Sequence, residues 1–381
     1  MATYKSIRYI VPVEAVEHTD SINALSDVDT ATTAPTDGQI LKWNNTTSKW
    51  YPGNVEDASN ISTTSGLIAG GLYDITDYYD IGSHIYVSNT GVLSQVSYSD
   101  TLAMGDGATI DGDKGFITNS WGQSSSNNIS GYHLVSNAGV VGSHNNATAD
   151  GFAGQGCTGL TYGLDKAIFG MGSQGSTGSG STRVYNSHKT TLVSSAGVVA
   201  SSAVSVSTDS WRDEATGLSY GGDKGMFIGG VGKNSNENGW TSSANRTNLI
   251  SNTGIVAAES ACGGTKKDKA SGGEYGGDKA IIAYGAQRLN GSDGVTGTYN
   301  TISNTGVVSS DITGVGTARY FSCYVRYGGD KGVFSNGQNS NSSNYLGYQI
   351  HNLVSNTGVI ATDVSHAHDG RYSSVGCGYG S

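Results

Sequence analysis

The sequence predicts an all-β protein, a ring of six four-stranded blades closed by its own C-terminal strand, and three observations predict it. Two phrases alternate along the chain, both are flanked by short apolar runs, and no proline occurs after residue 52. The first phrase is Ser-Asn-Thr-Gly, or a close variant, followed by two aliphatic residues. Its serines are Ser88, Ser136, Ser194, Ser251, Ser303 and Ser355, spaced by 48, 58, 57, 52 and 52. The second, Tyr-Gly-Gly-Asp-Lys or a variant, carries Lys114, Lys166, Lys224, Lys279 and Lys331. Self-similarity at a steady period is the signature of a repeat architecture.

Each phrase reads as a hairpin turn, because Gly-Gly-Asp and Asn-Thr-Gly supply the positive-φ positions that tight turns between twisted strands need. One repeat then runs strand A (Tyr320–Tyr327), turn, strand B (Lys331–Phe334), polar loop, strand C (Tyr348–Ser355), turn, strand D (Gly358–Asp363). Four antiparallel strands in about 50 residues make one propeller blade. The ends fit the same scheme. Arg371 to Tyr379 has the length of Arg319 to Tyr327, so the C-terminus is one more strand A. Ser65–Ile75 reads as a strand B with no strand A before it. The last strand is therefore expected to complete the first blade and cover its edge.

Composition agrees. Among 381 residues, 58 are Gly, which would suit a low-complexity chain, but the 22 Tyr, the 3 Pro and a charged share of 14% do not suit disorder. Collagen would need Gly at every third position with abundant Pro. A net charge of −10 argues against nucleic acid, and no apolar run reaches membrane-spanning length. The start, MATYKSIRYIVPVEA, lacks the apolar core of a signal peptide. Cys157, Cys262, Cys323 and Cys377 lie far apart and read as free thiols.

Pro12, Pro35 and Pro52 mark a boundary, since proline is expelled from paired strands. Residues 1–55 are expected to form a separate segment and 56–381 the propeller. The segment holds a hairpin, QILKWN then SKWYPG, with Trp43 and Trp50 on its two arms.

The double glycine after an Arg-led strand resembles a kelch repeat, although Ser, Asn and Thr stand at the later aromatic positions. The phrase Leu-Ser-Asp-Val-Asp at Leu25–Asp29, followed by the Asp37-Gly38-Gln39 hairpin, resembles a module of bacteriophage tail-fibre and other virion structural proteins. That resemblance covers about 30 residues. It implies a virion component made in the host bacterial cytoplasm and present as a homo-oligomer, a trimer being one option. It also implies attachment to other virion proteins through the N-terminal segment, where Tyr9, Ile10, Trp43 and Trp50 are the candidate contacts. The expected role is a tail-fibre or spike-type adhesin for a host-surface glycan or receptor. The alternatives are a head, neck or tail decoration protein and a polysaccharide hydrolase.

The loop between strands B and C carries the variation. From the turn lysine to the next phrase serine the distances are 22, 28, 27, 24 and 24 residues. These loops are rich in Ser, Gly and Asn with scattered aromatics, as adaptable recognition loops are. Trp121, Tyr185, Trp240, Arg288 and Tyr345 are the candidate binding residues. Plain solvated loops are the competing reading.

No enzyme is expected, and no cofactor or metal. The arginine cluster and repeated Ser-x-Asp-x-Gly-x-Thr-Trp boxes of a sialidase are missing. His366 and His368, beside Asp369, share a face of an extended segment, yet no third ligand lies near in sequence, so a polar loop is the reading. The Asp–Lys pair recurs in the turns of successive blades, which marks it as structural. Arg212, Lys267, Arg319 and Arg371 occupy one register before strand A and read as braces of the D–A loops.

Overall fold

The computed structural model describes residues 27–29, 32, 34, 39–44, 47–54, 65–72, 81–98, 102, 105–119, 131–146, 156–172, 189–201, 204–205, 212–233, 240–243, 245–289, 292–339 and 347–380. The chain divides into two compact units, Met1–Ser59 and Asn60–Ser381. All regular structure among the described residues is β, and no helix is long and apolar enough to cross a membrane.

In the first unit, Gln39–Asn44 pairs antiparallel with Lys49–Asn54, and Trp43 faces Trp50 across the ladder. Asp27–Asp29 adds a parallel bridge from Val28 to Trp50. Pro52 lies inside a paired strand, opposite Leu41. A two-stranded sheet has only edge strands, and an edge tolerates the missing donor.

The second unit is a six-bladed β-propeller. Blade one pairs strand A (Val375–Tyr379) with B (Ser65–Ala69), C (Ser83–Val87) and D (Leu93–Ser97). The A strands of blades two to six are Gly107–Ile110, Thr158–Tyr162, Thr216–Tyr220, Ser271–Tyr275 and Cys323–Tyr327. Their B strands are Lys114–Asn119, Lys166–Gly170, Lys224–Ile228, Lys279–Ala283 and Lys331–Ser335. The expected closure holds to the residue. Ser65 faces Tyr379 and Ala69 faces Val375, matching Lys331 opposite Tyr327 and Ser335 opposite Cys323.

The core sits between blades. Each of six apolar clusters joins two neighbours, and one of them (Ile68, Ile85, Val87 with Cys323, Val325, Tyr327 and Val333) joins the last blade to the first. Every strand A touches the A strands on either side, and glycine brings them close. A Cβ on Gly217 would meet the Gly159 carbonyl oxygen at 2.5 Å, and one on Gly107 would meet that of Gly376 at 2.2 Å.

Strand D departs from expectation. In blade six it is a bridge at Ile360 followed by Val364–Ser365, not a continuous Gly358–Asp363 strand. In blade five only isolated bridges at Val308 and Ile312 remain. The reason is a side chain in the ladder. Asn352 Nδ2 donates to the Ala361 carbonyl, and Asn300 and Asn248 do the same to Ser309 and Ala257. The outer strand is thereby pushed out of register.

Candidate functional site

The two ends of the propeller differ. The A–B and C–D turns share one end, because Asn252, Asn304 and Asn356 of the C–D turns donate to Asp223, Asp278 and Asp330 of the A–B turns in their own blades, each at 3.0 Å. The other oxygen of each aspartate takes the turn lysine, as the structural reading of the Asp–Lys pair expects. Within the Ser-Asn-Thr-Gly turn the serine hydroxyl accepts from two backbone N–H groups, as Ser303 does from Thr305 and Val307. Glycine at the fourth position is required twice over. Gly306 sits at φ 84, and a Cβ there would meet the Tyr220 ring of the preceding blade at 3.0 Å. Tyr162, Tyr275, Tyr327 and Tyr379 press likewise on Gly254, Gly358, Gly91 and Gly139, and Ile110 reaches Gly197. The end is also laced by backbone bonds between blades, from Gly163 to Asp223, Gly221 to Asp278, Gly276 to Asp330 and Gly380 to Asp113. At its rim each blade exposes one aliphatic: Val92, Val140, Val198, Ile255, Val307 and Val359, all 61–70% exposed.

The opposite end, where the B–C loops emerge, is held by buried cations. Arg212, Lys267, Arg319 and Arg371 are at most 3% exposed. Arg212 donates to the Gly229 and Arg246 carbonyls and to Asn248. Lys267 donates to Asn300, and Arg319 to the Thr317 carbonyl and Asn352. Arg371 donates to the Gly70 and Ser83 carbonyls and to the Ser83 hydroxyl. Glu259, Asp311 and Asp363 stand 3.8 Å from the first three. Desolvation lowers the proton affinity of all four, Arg212 and Arg371 to about 10 and Lys267 to about 8, with the nearby carboxylates opposing it. The Arg319 guanidinium also stacks 4.1 Å from the Tyr284 ring centroid. These residues brace the D–A loops, as their register suggests. A second ring of backbone bonds crosses blades here, from Lys269 to Glu214, Phe321 to Lys269 and Ser373 to Phe321. All four residues hold positive φ without being glycine, which is local strain that the surrounding bonds must hold in place.

On this braced base two B–C loops become hairpins. In blade four Gly229 and Gly230, both at positive φ, turn the chain out of strand B. Val231–Lys233 then pairs with Arg212–Asp213 and with Trp240–Ser243, placing Trp240 opposite Lys233. In blade five Ala286–Leu289 pairs with Ser292–Val295, placing Arg288 opposite Asp293. The strand carrying Trp240 lies against the strand carrying Arg288. Two of the five candidate binding residues are thus on adjoining hairpins. Trp121, Tyr185 and Tyr345 lie outside the described residues, as do Tyr9 and Ile10. Trp43 and Trp50 are paired on the N-terminal hairpin.

The residues that complete the braces were missed, and a signal for them exists. Asn248, Asn300 and Asn352 each stand three residues before a phrase serine, and Glu259, Asp311 and Asp363 eight after it. No disulfide joins the four cysteines, and Cys157, Cys323 and Cys377 are buried. No family model matches the chain, and no curated protein sequence does.

Proposed function

We propose that the protein is a bacteriophage virion structural protein, a tail-fibre or spike-type adhesin that displays its loop end to a host-surface glycan. The observation that carries this reading is the pair of adjoining hairpins bearing Trp240 and Arg288, raised on a base of buried, hydrogen-bonded cations. Rigid scaffolds that project variable loops are the usual architecture of recognition surfaces, and aromatic and guanidinium side chains suit stacking on and hydrogen bonding to sugar rings. The N-terminal hairpin, with its Asp27–Asp29 bridge, is the element through which the protein attaches to other virion proteins. Several copies per virion follow from the same reading.

Glycan-array binding by the full chain tests it. Saturable binding that falls at least tenfold in Trp240→Ala and Arg288→Ala is expected, with unchanged binding in Val307→Ala. Absence of binding on every host glycan overturns the adhesin, and reducing-sugar release from host polysaccharide overturns the non-enzymatic reading. A second reading has its own observation. The six exposed aliphatics at the turn end suit a decoration protein that packs on other virion proteins; loss of virion incorporation in Val307→Lys would favour it.

A further inference from the structure

Blade five differs from its neighbours in the cation beneath its loop end. Blades four and six use Arg212 and Arg319, while blade five has Lys267 in the same register. The rest of the arrangement is kept between blades five and six. Thr265 and Thr317 each donate a backbone N–H and a hydroxyl to Asp311 and Asp363. Asn300 Nδ2 donates to Asp311 Oδ1 at 2.9 Å, and Asn352 Nδ2 donates to Asp363 Oδ1 at 2.8 Å. The cation stands 3.8 Å from that same carboxylate oxygen in both blades. A guanidinium is permanently charged and forks across several acceptors, and a lysine in its place does neither. Lysine is the poorer brace, but unlike arginine it can act as a nucleophile.

We propose that Lys267 and Asn300 join through an intramolecular isopeptide bond, with Asp311 as the proton carrier. Lys267 Nζ lies 2.5 Å from Asn300 Oδ1. Since a carbonyl bond is about 1.23 Å long, Asn300 Cγ lies within roughly 3.7 Å of the amine. Reacting atoms held about 3–3.5 Å apart are poised for attack. Bonds from Nδ2 to Asp311 and to the Ser309 carbonyl keep the Asn300 carbonyl turned towards Lys267. Both partners are buried, Lys267 at 3% and Asn300 at 2% exposure. A small cavity lined by Lys267, Asn300, Cys262 and Thr265 lies beside them, with room for a small leaving group.

The protonation states suit the reaction. Burial brings the Lys267 pKa down to about 8, against Asp311 and Cys262. About one amine in ten is then neutral at pH 7, far more than for an ordinary lysine. Burial pushes the Asp311 carboxyl up, but bonds from Thr265 and Asn300 and the charge of Lys267 hold it below its usual value. It is therefore a carboxylate, able to accept a proton. The neutral amine attacks Cγ and forms the new C–N bond. One amine proton passes through Asp311 to Nδ2, the old C–N bond breaks, and ammonia leaves. One amide replaces another, so the step needs no oxidant or reductant. The bond would tie the entry of strand A to strand C (Tyr299–Ile302) in the blade whose strand D is reduced to isolated bridges.

The test is the intact mass of untagged full chain after incubation at mildly alkaline pH. The mass is expected to be one ammonia below that of the sequence. A tryptic digest should yield a branched peptide joining Lys267 to Asn300. Lys267→Arg, which rebuilds the arrangement of blade six, should show the full sequence mass. In folded Asp311→Asn the cross-linked fraction should fall at least tenfold. The full sequence mass in the parent overturns the bond, as does an ammonia loss that persists in Lys267→Arg. Complete cross-linking in Asp311→Asn overturns the role of the carboxylate.

Discussion

At the turn end the blades repeat one arrangement: a serine-capped turn in all six, an aspartate shared by lysine and asparagine in blades four to six, and a tyrosine ring seated on glycine in every blade but the third. At the loop end the blades differ. Arg212, Lys267 and Arg319 use an asparagine and an acid, Arg371 uses Ser83 and two carbonyls, and the loops above them vary in length. The contrast teaches how a repeat protein diversifies. The turn end locks each blade to the next through backbone geometry, so its sequence is confined. The loop end is secured by buried side-chain bonds beneath the surface, so the surface above is free to change.

The closing strand holds both ends at once, so its loss has the largest effect. A chain ending at Ser374 leaves Ser65–Ala69 with an unpaired edge and removes Cys377 and Val375 from the cluster shared with blade two. Size-exclusion chromatography and thermal melting are expected to show aggregation and no cooperative transition; a monomer melting like the parent would break the closed-ring account.

Next comes the loop end. Arg319→Met strands Asn352 and Asp363 without their cation, and loss of one partner from a buried charged set costs about 3–5 kcal/mol. Urea unfolding should show it. A loss below about 1 kcal/mol would mean the brace is ornamental.

Asp106, just before strand A of blade two, sharpens the same point through pH. Burial pushes its pKa up to about 6, against bonds from Gly107, Thr158 and Gly159. The folded value lies above the unfolded one, so between the two the folded state binds more protons. The parent should therefore lose up to about 3 kcal/mol relative to Asp106→Asn as pH rises from about 4 to about 6. The difference should be flat on either side, and a difference that does not vary with pH would refute it.

Gly306→Ala probes the turn end most gently. A left-handed alanine costs about 1–2 kcal/mol before the Tyr220 ring shifts. Equal stability by urea unfolding would show that the ring-on-glycine contact is incidental.

The strand A–B–C plan and the closure were legible because turn glycines and apolar runs report backbone conformation locally. Strand D was misread because Asn352 and its counterparts reach into the ladder from the neighbouring strand, and no local pattern on strand D announces that. The brace cations were legible as a register, and their partners Asn248, Asn300 and Asn352 keep a fixed offset from the turn serine. Trp240 and Arg288 were chosen for chemistry alone, and their adjacency follows from hairpins built on two neighbouring blades.

The division of labour between the ends is tested most directly by hydrogen exchange across the whole chain with and without host-cell surface polysaccharide. Added protection confined to 231–243 and 286–295, with the Ser-Asn-Thr-Gly turns unchanged, is the predicted result. Protection of those turns, with the two hairpins unaffected, would contradict it.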